Sequence, residues 1–385
     1  MKKPALLPHP LHRALAAAAW LALLVGCSLP GAAPTPAPPA AATPPRPAAS
    51  PTHTPAPGEA VPGLSADQAA TLGSLERVDD YPLYTMRYYG SYARRVSSAP
   101  GAGGPGSPPP PGGGGEGVAA GPACALFAAL GDPEHMLYGR NFDWEYSPAL
   151  LLFTDPPDGY ASVSMVDIAY LGFGGDRAGR VADLPLAERQ ALLRAPYWPF
   201  DGMNEHGLAV GMAAVPPGAM RPDPAKQTID SLGVIREILD RARDVDQGMA
   251  ILRSYNVDMG GGPPLHYLLA DPSGRSVLVE FYQGRMVVMP NQAPWHAATN
   301  FLRAAAGDSA VGECWRYDTL QRRLAQAEGR LAVPQALELL GDVSQPSTQW
   351  SVVYGMSSGQ VDVVMGRGYD HPRTFPMGII GRAEP

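Results

Sequence analysis

The stretch CALFAALGDPEHMLYGRNFDW, which runs from Cys124 to Trp144, decides the fold because two apolar segments surround one short turn. The segments CALFAAL and MLYGRNF are rich in residues that suit a strand. Between them lies GDPEH, whose Gly, Asp and Pro are typical turn residues. The stretch therefore predicts an antiparallel hairpin.

The register of this hairpin follows from its turn. If the turn is centred on Pro133, Cys124 lies opposite Phe142 and diagonally near Arg140. Asp143 then falls just beyond the end of the strand. The register thus brings one cysteine close to an arginine and a carboxylate.

A Gly/Pro-rich run, SSAPGAGGPGSPPPPGGGGEGVAAGPA, comes directly before Cys124. If the bond between Ala123 and Cys124 were cut, the cysteine would carry a free α-amine, whose pKa of about 7.7–8.0 suits a general base for a thiol of pKa about 8.5. Asp143 could orient this amine while Arg140 favours the thiolate. The alternatives are a buried, inert Cys124 and a structural Arg140–Asp143 ion pair.

The first 27 residues have the pattern of an export signal. Lys2, Lys3 and Arg13 precede an apolar run that is too short to span a bilayer. The sequence LVGC, which ends at Cys27, resembles a bacterial lipobox, in which the cysteine is lipidated and becomes the new N-terminus. We therefore expect an exported bacterial lipoprotein on the outer face of the cell membrane. The alternative is an ordinary signal peptide with an incidental cysteine.

Composition divides the chain into five parts. Pro, Ala and Thr dominate the second part, which cannot bury a core. The predicted parts are a signal segment 1–27, a Pro/Ala-rich tether 28–62, an ordered precursor segment 63–97, a Gly/Pro-rich cleavable linker 98–123 and a catalytic domain 124–385.

The last part mixes strand and helix patterns. LHYLLA, RSVLVEFY, RMVVM and HGLAVGMAAV read as buried strands, and TQWSVVYGMSSGQVDVVMG reads as a second hairpin. TIDSLGVIREILDRARD, WRYDTLQRRLAQAE and PQALELLG have helical spacing. Hairpins separated by helices favour a layered α+β fold over a parallel βαβ array.

Charge and cysteine content exclude several classes of protein. The formal net charge of −7 offers no basic patch for nucleic acid. There is no Walker loop or zinc-type spacing, and His206 and His296 lack a spacing that demands metal, so we expect no cofactor and no metal. Three cysteines do not make a disulfide framework, although pairing of Cys124 with Cys314 stays open.

Cys124 followed by GRNFDW, then GMNEHGLAVG and ATNF, resembles the cysteine branch of the N-terminal nucleophile (Ntn) hydrolases. These include choloylglycine hydrolases, penicillin V acylases, acid ceramidases and N-acylethanolamine amidases. The resemblance covers about 124–375. It implies a four-layer αββα sandwich of two stacked, mainly antiparallel sheets flanked by helices. It also implies hydrolysis of linear amide bonds after autocatalytic exposure of the cysteine.

The resemblance further implies a role for each matching residue. An oxyanion donor must face charge that develops only in the transition state, which a neutral amide can do. For Asn204 the alternative is a turn residue, and for Asn300 and Arg316 it is a structural role. The implied roles are Cys124 as nucleophile, Arg140 and Asp143 as its orienting partners, Asn204 as oxyanion donor, Asn300 as a second polar partner and Arg316 as a stabilising cation.

These expectations describe an amidase that acts on a small N-acyl amide through a thioester. Two alternatives stay open: an acyltransferase that passes the acyl group to an amine, and a non-catalytic surface lipoprotein that keeps the fold. The expected contacts outside the protein are the substrate and a membrane, the latter through the lipid anchor. Homo-oligomer formation is left open.

Overall fold

The computed structural model describes residues 63–92, 123–218, 220–260, 262–306 and 310–378. All of them belong to one compact unit, Thr54–Pro385. The predicted signal segment, the lipidation site Cys27, the tether and nearly all of the cleavable linker lie outside the described residues. No helix in the described ranges is both long and apolar enough to cross a membrane.

The described parts of the chain contain strands and helices in the following order. The strands are β1 (Glu76–Asp79), β2 (Leu83–Tyr88), β3 (Ala123–Ala129), β4 (Leu137–Asp143), β5 (Ala149–Thr154), β6 (Ser162–Asp167), β7 (Asp201–Asn204), β8 (Ala209–Ala214), β9 (Gln227–Asp230), β10 (Tyr255–Asp258), β11 (Leu265–Ala270), β12 (Ser276–Tyr282), β13 (Arg285–Pro290), β14 (Trp295–Ala298), β15 (Thr348–Gly355), β16 (Gln360–Met365) and β17 (Arg373–Pro376). The helices are α1 (Ala66–Gly73), α2 (Gly233–Arg241), α3 (Val245–Ser254), α4 (Arg303–Ala306), α5 (Trp315–Gln326) and α6 (Val333–Asp342), and short 3-10 helices lie between Ile168 and Tyr197.

Two large sheets form the centre of the fold. The first has nine strands in the order β1-β2-β5-β6-β7-β8-β11-β12-β13, and the second has six in the order β14-β3-β4-β15-β16-β17. Their neighbouring strands are antiparallel except for β2 and β5. The sheets stack face to face, and Tyr138 of β4 donates a hydrogen bond across the interface to the Leu268 carbonyl of β11, at 3.0 Å. A Cβ atom on Gly211 of β8 would lie 2.7 Å from the Tyr138 hydroxyl, so this close approach requires glycine.

Helices cover the outer face of each sheet. On the nine-stranded sheet, Gly202 of β7 faces Leu239 of α2. On the six-stranded sheet, Phe127 of β3 shares a buried cluster with Leu320 of α5 and Leu340 of α6. The predicted α+β sandwich with an αββα order of layers is therefore confirmed.

The hairpin at Cys124 forms with the predicted register. Strands β3 and β4 pair antiparallel, with Cys124 opposite Phe142 and Leu126 opposite Arg140. Asp143, expected just beyond the strand, is instead the last residue of β4 and pairs with Ala123. Every residue of β4 is buried, because the strand lies between β3 and β15 within a covered sheet.

Two sequence predictions of secondary structure were wrong in detail. The predicted helix 228–244 begins only at Gly233, because residues before it form β9, which pairs parallel with β10. The Asp230 carboxylate accepts the backbone N–H groups of Leu232 (3.2 Å) and Gly233 (2.7 Å), so it fixes the turn between β9 and the shortened helix. Strand β13, predicted to be buried, is half-exposed because it lies at an edge of its sheet.

The segment before the linker is built into the same sheet as the residues after it. Strand β2 pairs with β5 along all six of its residues, from Leu83 opposite Ala149 to Tyr88 opposite Thr154. Tyr84 is fully buried, and its hydroxyl donates to the Ala178 carbonyl at 2.7 Å. Cutting the chain before Cys124 would therefore leave this segment held by a full strand pairing.

Candidate active site

Cys124 lies in the second position of β3, and only 3% of its surface is exposed. The Arg140 Nη2 group donates a hydrogen bond to its sulfur at 3.4 Å. Burial raises the pKa of the Cys124 thiol, and the charge of Arg140 opposes this rise while the Asp143 carboxylate adds to it. In the intact chain the sulfur is therefore favoured as a thiol.

The backbone atoms of Cys124 are also held by side chains. Its nitrogen donates to Asn300 Oδ1 at 2.7 Å, and its carbonyl oxygen accepts a hydrogen bond from Arg316 Nη1 at 2.9 Å. Arg316 Nη2 donates to the same Asn300 oxygen at 2.7 Å. The fold thus brings Arg140, Asn300 and Arg316 to three different atoms of one cysteine, although Asn300 and Arg316 lie more than 170 positions away in the sequence.

The Asp143 carboxylate has three side-chain partners, and the Cys124 nitrogen that it was predicted to orient is not among them. Its carboxylate accepts hydrogen bonds from Arg316 (3.1 Å), Gln345 (2.8 Å) and Thr348 (2.5 Å). Burial raises the pKa of Asp143, against the hydrogen bonds from Thr348 and Gln345 and the charge of Arg316. In this structure the partner of the Cys124 nitrogen is Asn300, and Asp143 anchors Arg316.

The partner of Arg140 is Asp201, at the start of β7 in the opposite sheet. Both side chains are completely buried, and the hydroxyl of Tyr354 also donates to the Asp201 carboxylate. The alternative of an Arg140–Asp143 ion pair is therefore replaced by two separate pairs, Arg140–Asp201 and Arg316–Asp143. Sequence reasoning missed Asp201, Gln345 and Thr348, since only the fold brings them to the hairpin.

Asn204 lies outside this group. Its Nδ2 donates to the carbonyls of Leu239 (3.1 Å) and Ala242 (2.6 Å) at the end of α2, and its Oδ1 accepts the N–H groups of His206 (3.1 Å) and Leu208 (3.2 Å).

The position of Asn204 in its strand explains these contacts. Side chains alternate along a strand, so Asn204 faces the helix layer while Asp201, three residues earlier, faces the other sheet. Both amide hydrogens of Asn204 are engaged in these bonds, so the geometry favours a structural turn residue over the predicted oxyanion donor.

The segment that carries Asn300 is fixed from two sides. Asn300 Nδ2 donates to the Ala214 carbonyl of β8 at 2.8 Å. Just after it, the buried Glu280 carboxylate accepts the backbone N–H groups of Arg303 and Ala304, both at 2.8 Å, at the start of α4. These contacts tie Asn300 to the nine-stranded sheet, although the preceding strand β14 belongs to the other one.

Aromatic side chains fill the interior beside the hairpin. Phe142, opposite Cys124, stacks on Trp350 with 4.0 Å between ring centroids and meets the edge of Phe200 at 5.2 Å. Trp198 and Phe200, from the segment APYWPFDG, are 3% and 5% exposed. Both residues therefore belong to the packed interior.

Among the described residues, no three His, Cys, Asp or Glu side chains converge in a way that could hold a metal ion. Cys124 and Cys314 are both free thiols, so the disulfide that the sequence left open is not formed in this structure.

Comparison with known families matches residues 191–303 to the linear amide C-N hydrolases, choloylglycine hydrolase family. This confirms the resemblance and the prediction of a hydrolase of linear amide C–N bonds. The matched range contains Asp201, Asn204 and Asn300 but begins after Cys124, Arg140 and Asp143.

Solved structures also resemble the chain. A mutant form of the conjugated bile acid hydrolase from Clostridium perfringens is 16% identical, with a TM-score of 0.49 over 66% of this chain and 92% of that one. Penicillin V acylase from Agrobacterium tumefaciens is 14% identical, with a TM-score of 0.44 over 65% and 84%. A Caenorhabditis elegans ortholog of N-acylethanolamine-hydrolyzing acid amidase is 14% identical, with a TM-score of 0.41 over 61% and 93%.

Proposed function

We propose, from the family match over residues 191–303, that this protein hydrolyses the linear amide bond of an N-acyl compound with Cys124 as an N-terminal nucleophile. One observation carries the proposal. The sulfur, nitrogen and carbonyl oxygen of Cys124 are each held by a different side chain, Arg140, Asn300 and Arg316 respectively. A cysteine that served only as core packing would need no cation at its sulfur, and its backbone groups would need only the main-chain partners of an ordinary strand.

The nucleophile is made by cleavage of the precursor. The Cys124 sulfur attacks the carbonyl carbon of Ala123, the peptide C–N bond breaks, and its nitrogen takes a proton to become the α-amine. Water then hydrolyses the resulting thioester to the Ala123 carboxylate and a free thiol. Departure of Ala123 from β3, where it pairs with Asp143, opens the thiol to substrate.

In the mature protein the α-amine of Cys124 takes the thiol proton, and the thiolate attacks the amide carbonyl of the substrate. The amine product leaves with a proton, and water hydrolyses the thioester to the carboxylic acid. Asn300 accepts a hydrogen bond from the α-amine and keeps it beside the sulfur. Arg140 holds the sulfur, and Arg316 holds the cysteine carbonyl.

Mass spectrometry of the purified protein tests this proposal. We expect a chain that begins at Cys124, and in the presence of a slowly hydrolysed N-acyl amide a mass increase equal to the acyl group on that cysteine. An active protein in which Ala123 and Cys124 remain joined would exclude the mechanism. Adding amine acceptors separates hydrolysis from acyl transfer, because a transferase would form a new amide in place of the acid.

The two chains produced by cleavage are expected to stay together. Strand β2 pairs fully with β5, and Tyr81 of the first chain donates to Gln349 Oε1 of the second at 2.7 Å. Lipidation of Cys27 on the first chain would then keep the catalytic chain at the outer face of the membrane without a covalent link, which forms part of the proposal.

Gel filtration of the cleaved protein checks this prediction. We expect both chains to co-elute in buffer and to separate only in denaturant. In cells, labelling with a fatty-acid analogue should mark the first chain alone and disappear in Cys27→Ser. A catalytic chain that elutes alone in buffer would show that the strand pairing does not hold the two together.

A further inference from the structure

Both side chains of the Arg140–Asp201 ion pair are completely buried, which is unusual for charged residues. Removing two charges from water costs several kcal/mol, so such a pair is by itself weak evidence of a stabilising role. The Tyr354 hydroxyl donates a further hydrogen bond to Asp201, and the Asp201 side chain also lies against the position that a Cβ atom of Gly211 would occupy. This pair lies at the sulfur of Cys124.

Charges at the site are balanced. The positive groups are the guanidinium groups of Arg140 and Arg316, and each has its own carboxylate, Asp201 and Asp143 respectively. The ionisable groups that face Arg140 and Cys124 from the surrounding strands are Asp201 of β7, Asp143 and Tyr138 of β4 and Tyr354 of β15. An ionised Asp201 offsets part of the positive charge with which Arg140 lowers the pKa of the Cys124 thiol.

We propose that Asp201 is a positioning residue that holds Arg140 against Cys124 and offsets part of its charge, so that the sulfur remains a thiol until the α-amine takes its proton. The inference rests on the proposed function. It makes Arg140 a hydrogen-bond donor of fixed direction as well as a source of charge. The thiolate would form only together with the protonated α-amine. The transfer of this proton would leave the net charge of the site unchanged.

The pH dependence of Cys124 alkylation by iodoacetamide tests the proposal, since only the thiolate reacts. In Asp201→Asn the charge of Arg140 is no longer balanced, so we expect the inflection of the rate against pH to fall by about one pH unit or more. Tyr354→Phe is the matched control, because it removes a hydrogen bond from Asp201 and changes no charge. Its inflection should stay near that of the wild type.

Arg140→Lys provides a second variant that keeps both buried charges. A lysine lacks the planar guanidinium group that contacts Asp201 and the sulfur at once. Its ammonium group should stay with Asp201, so the sulfur loses its hydrogen-bond donor and the inflection of the alkylation rate moves to higher pH. An unchanged or higher inflection in folded Asp201→Asn would overturn the proposal. If Asp201→Asn does not fold, an unchanged inflection in Arg140→Lys would overturn it equally.

These readouts also separate the inference from the proposed function. A wild-type protein that is neither cleaved before Cys124 nor active would refute the function. The pH dependence of the ultraviolet absorbance of the thiolate, which needs no reagent to reach the buried sulfur, would still report in the intact chain whether Asp201 sets the ionisation of the thiol.

Discussion

Cys124→Ala is expected to yield a single uncleaved chain that hydrolyses no amide. The substitution removes only the sulfur from a residue that is 3% exposed, so the fold should survive with a small loss of stability. The attack on the Ala123 carbonyl and the attack on the substrate both need that sulfur. Mass spectrometry reports the first loss, and release of a free acid from an N-acyl amide reports the second.

Cys314→Ser is the matched control for this prediction. Cys314 is the other free cysteine of the described chain and lies at the N-cap of α5, two residues before Arg316. It makes none of the contacts to Cys124 described above, so its variant should be cleaved and active. Cleavage or hydrolysis by a folded Cys124→Ala protein would rule out the proposed nucleophile.

Arg316→Met is expected to lower the free energy of unfolding by about 3–5 kcal/mol, because it leaves the buried Asp143 carboxylate without its cation. It also removes the donor to the Cys124 carbonyl and to Asn300. The resulting displacement of Asn300 should slow cleavage and hydrolysis on the order of 100-fold in protein that is still folded. Denaturant unfolding and single-turnover kinetics measure the two effects.

Arg323→Met on the same helix is the control for this substitution. Arg323 pairs with Glu338 and Asp342 at the surface, at 3.0 Å and 2.8 Å, where an ion pair contributes within about 1 kcal/mol. Equal losses in the free energy of unfolding of the two variants would show that the contacts of Arg316 stabilise the protein no more than a surface ion pair does.

Local features of the sequence predicted the hairpin and its register correctly. The turn GDPEH leaves little freedom in pairing, and alternation then determines which residue lies opposite which. This is why Cys124 and Arg140 could be brought together from sequence alone. The helix that ends at Arg241 was predicted too long, because apolar spacing does not show where strand β9 ends and the helix begins.

Partners of the candidate site were harder to predict, because they come from other layers. Asn204 and Asp201 are three residues apart in one strand, yet one holds the end of α2 and the other holds Arg140. Nothing in the motif GMNEHG shows which face of strand β7 packs against the other sheet.

The sequence by itself determined the α+β layering, the hairpin and the identity of the nucleophile candidate, because each depends on residues that are close along the chain. The tertiary structure alone decided that Asn300 accepts the hydrogen bond of the Cys124 nitrogen, and that the ion pairs are Arg316–Asp143 and Arg140–Asp201. These contacts join residues 61 to 176 positions apart. They depend on how the two sheets stack and on where α5 begins, which no local pattern encodes.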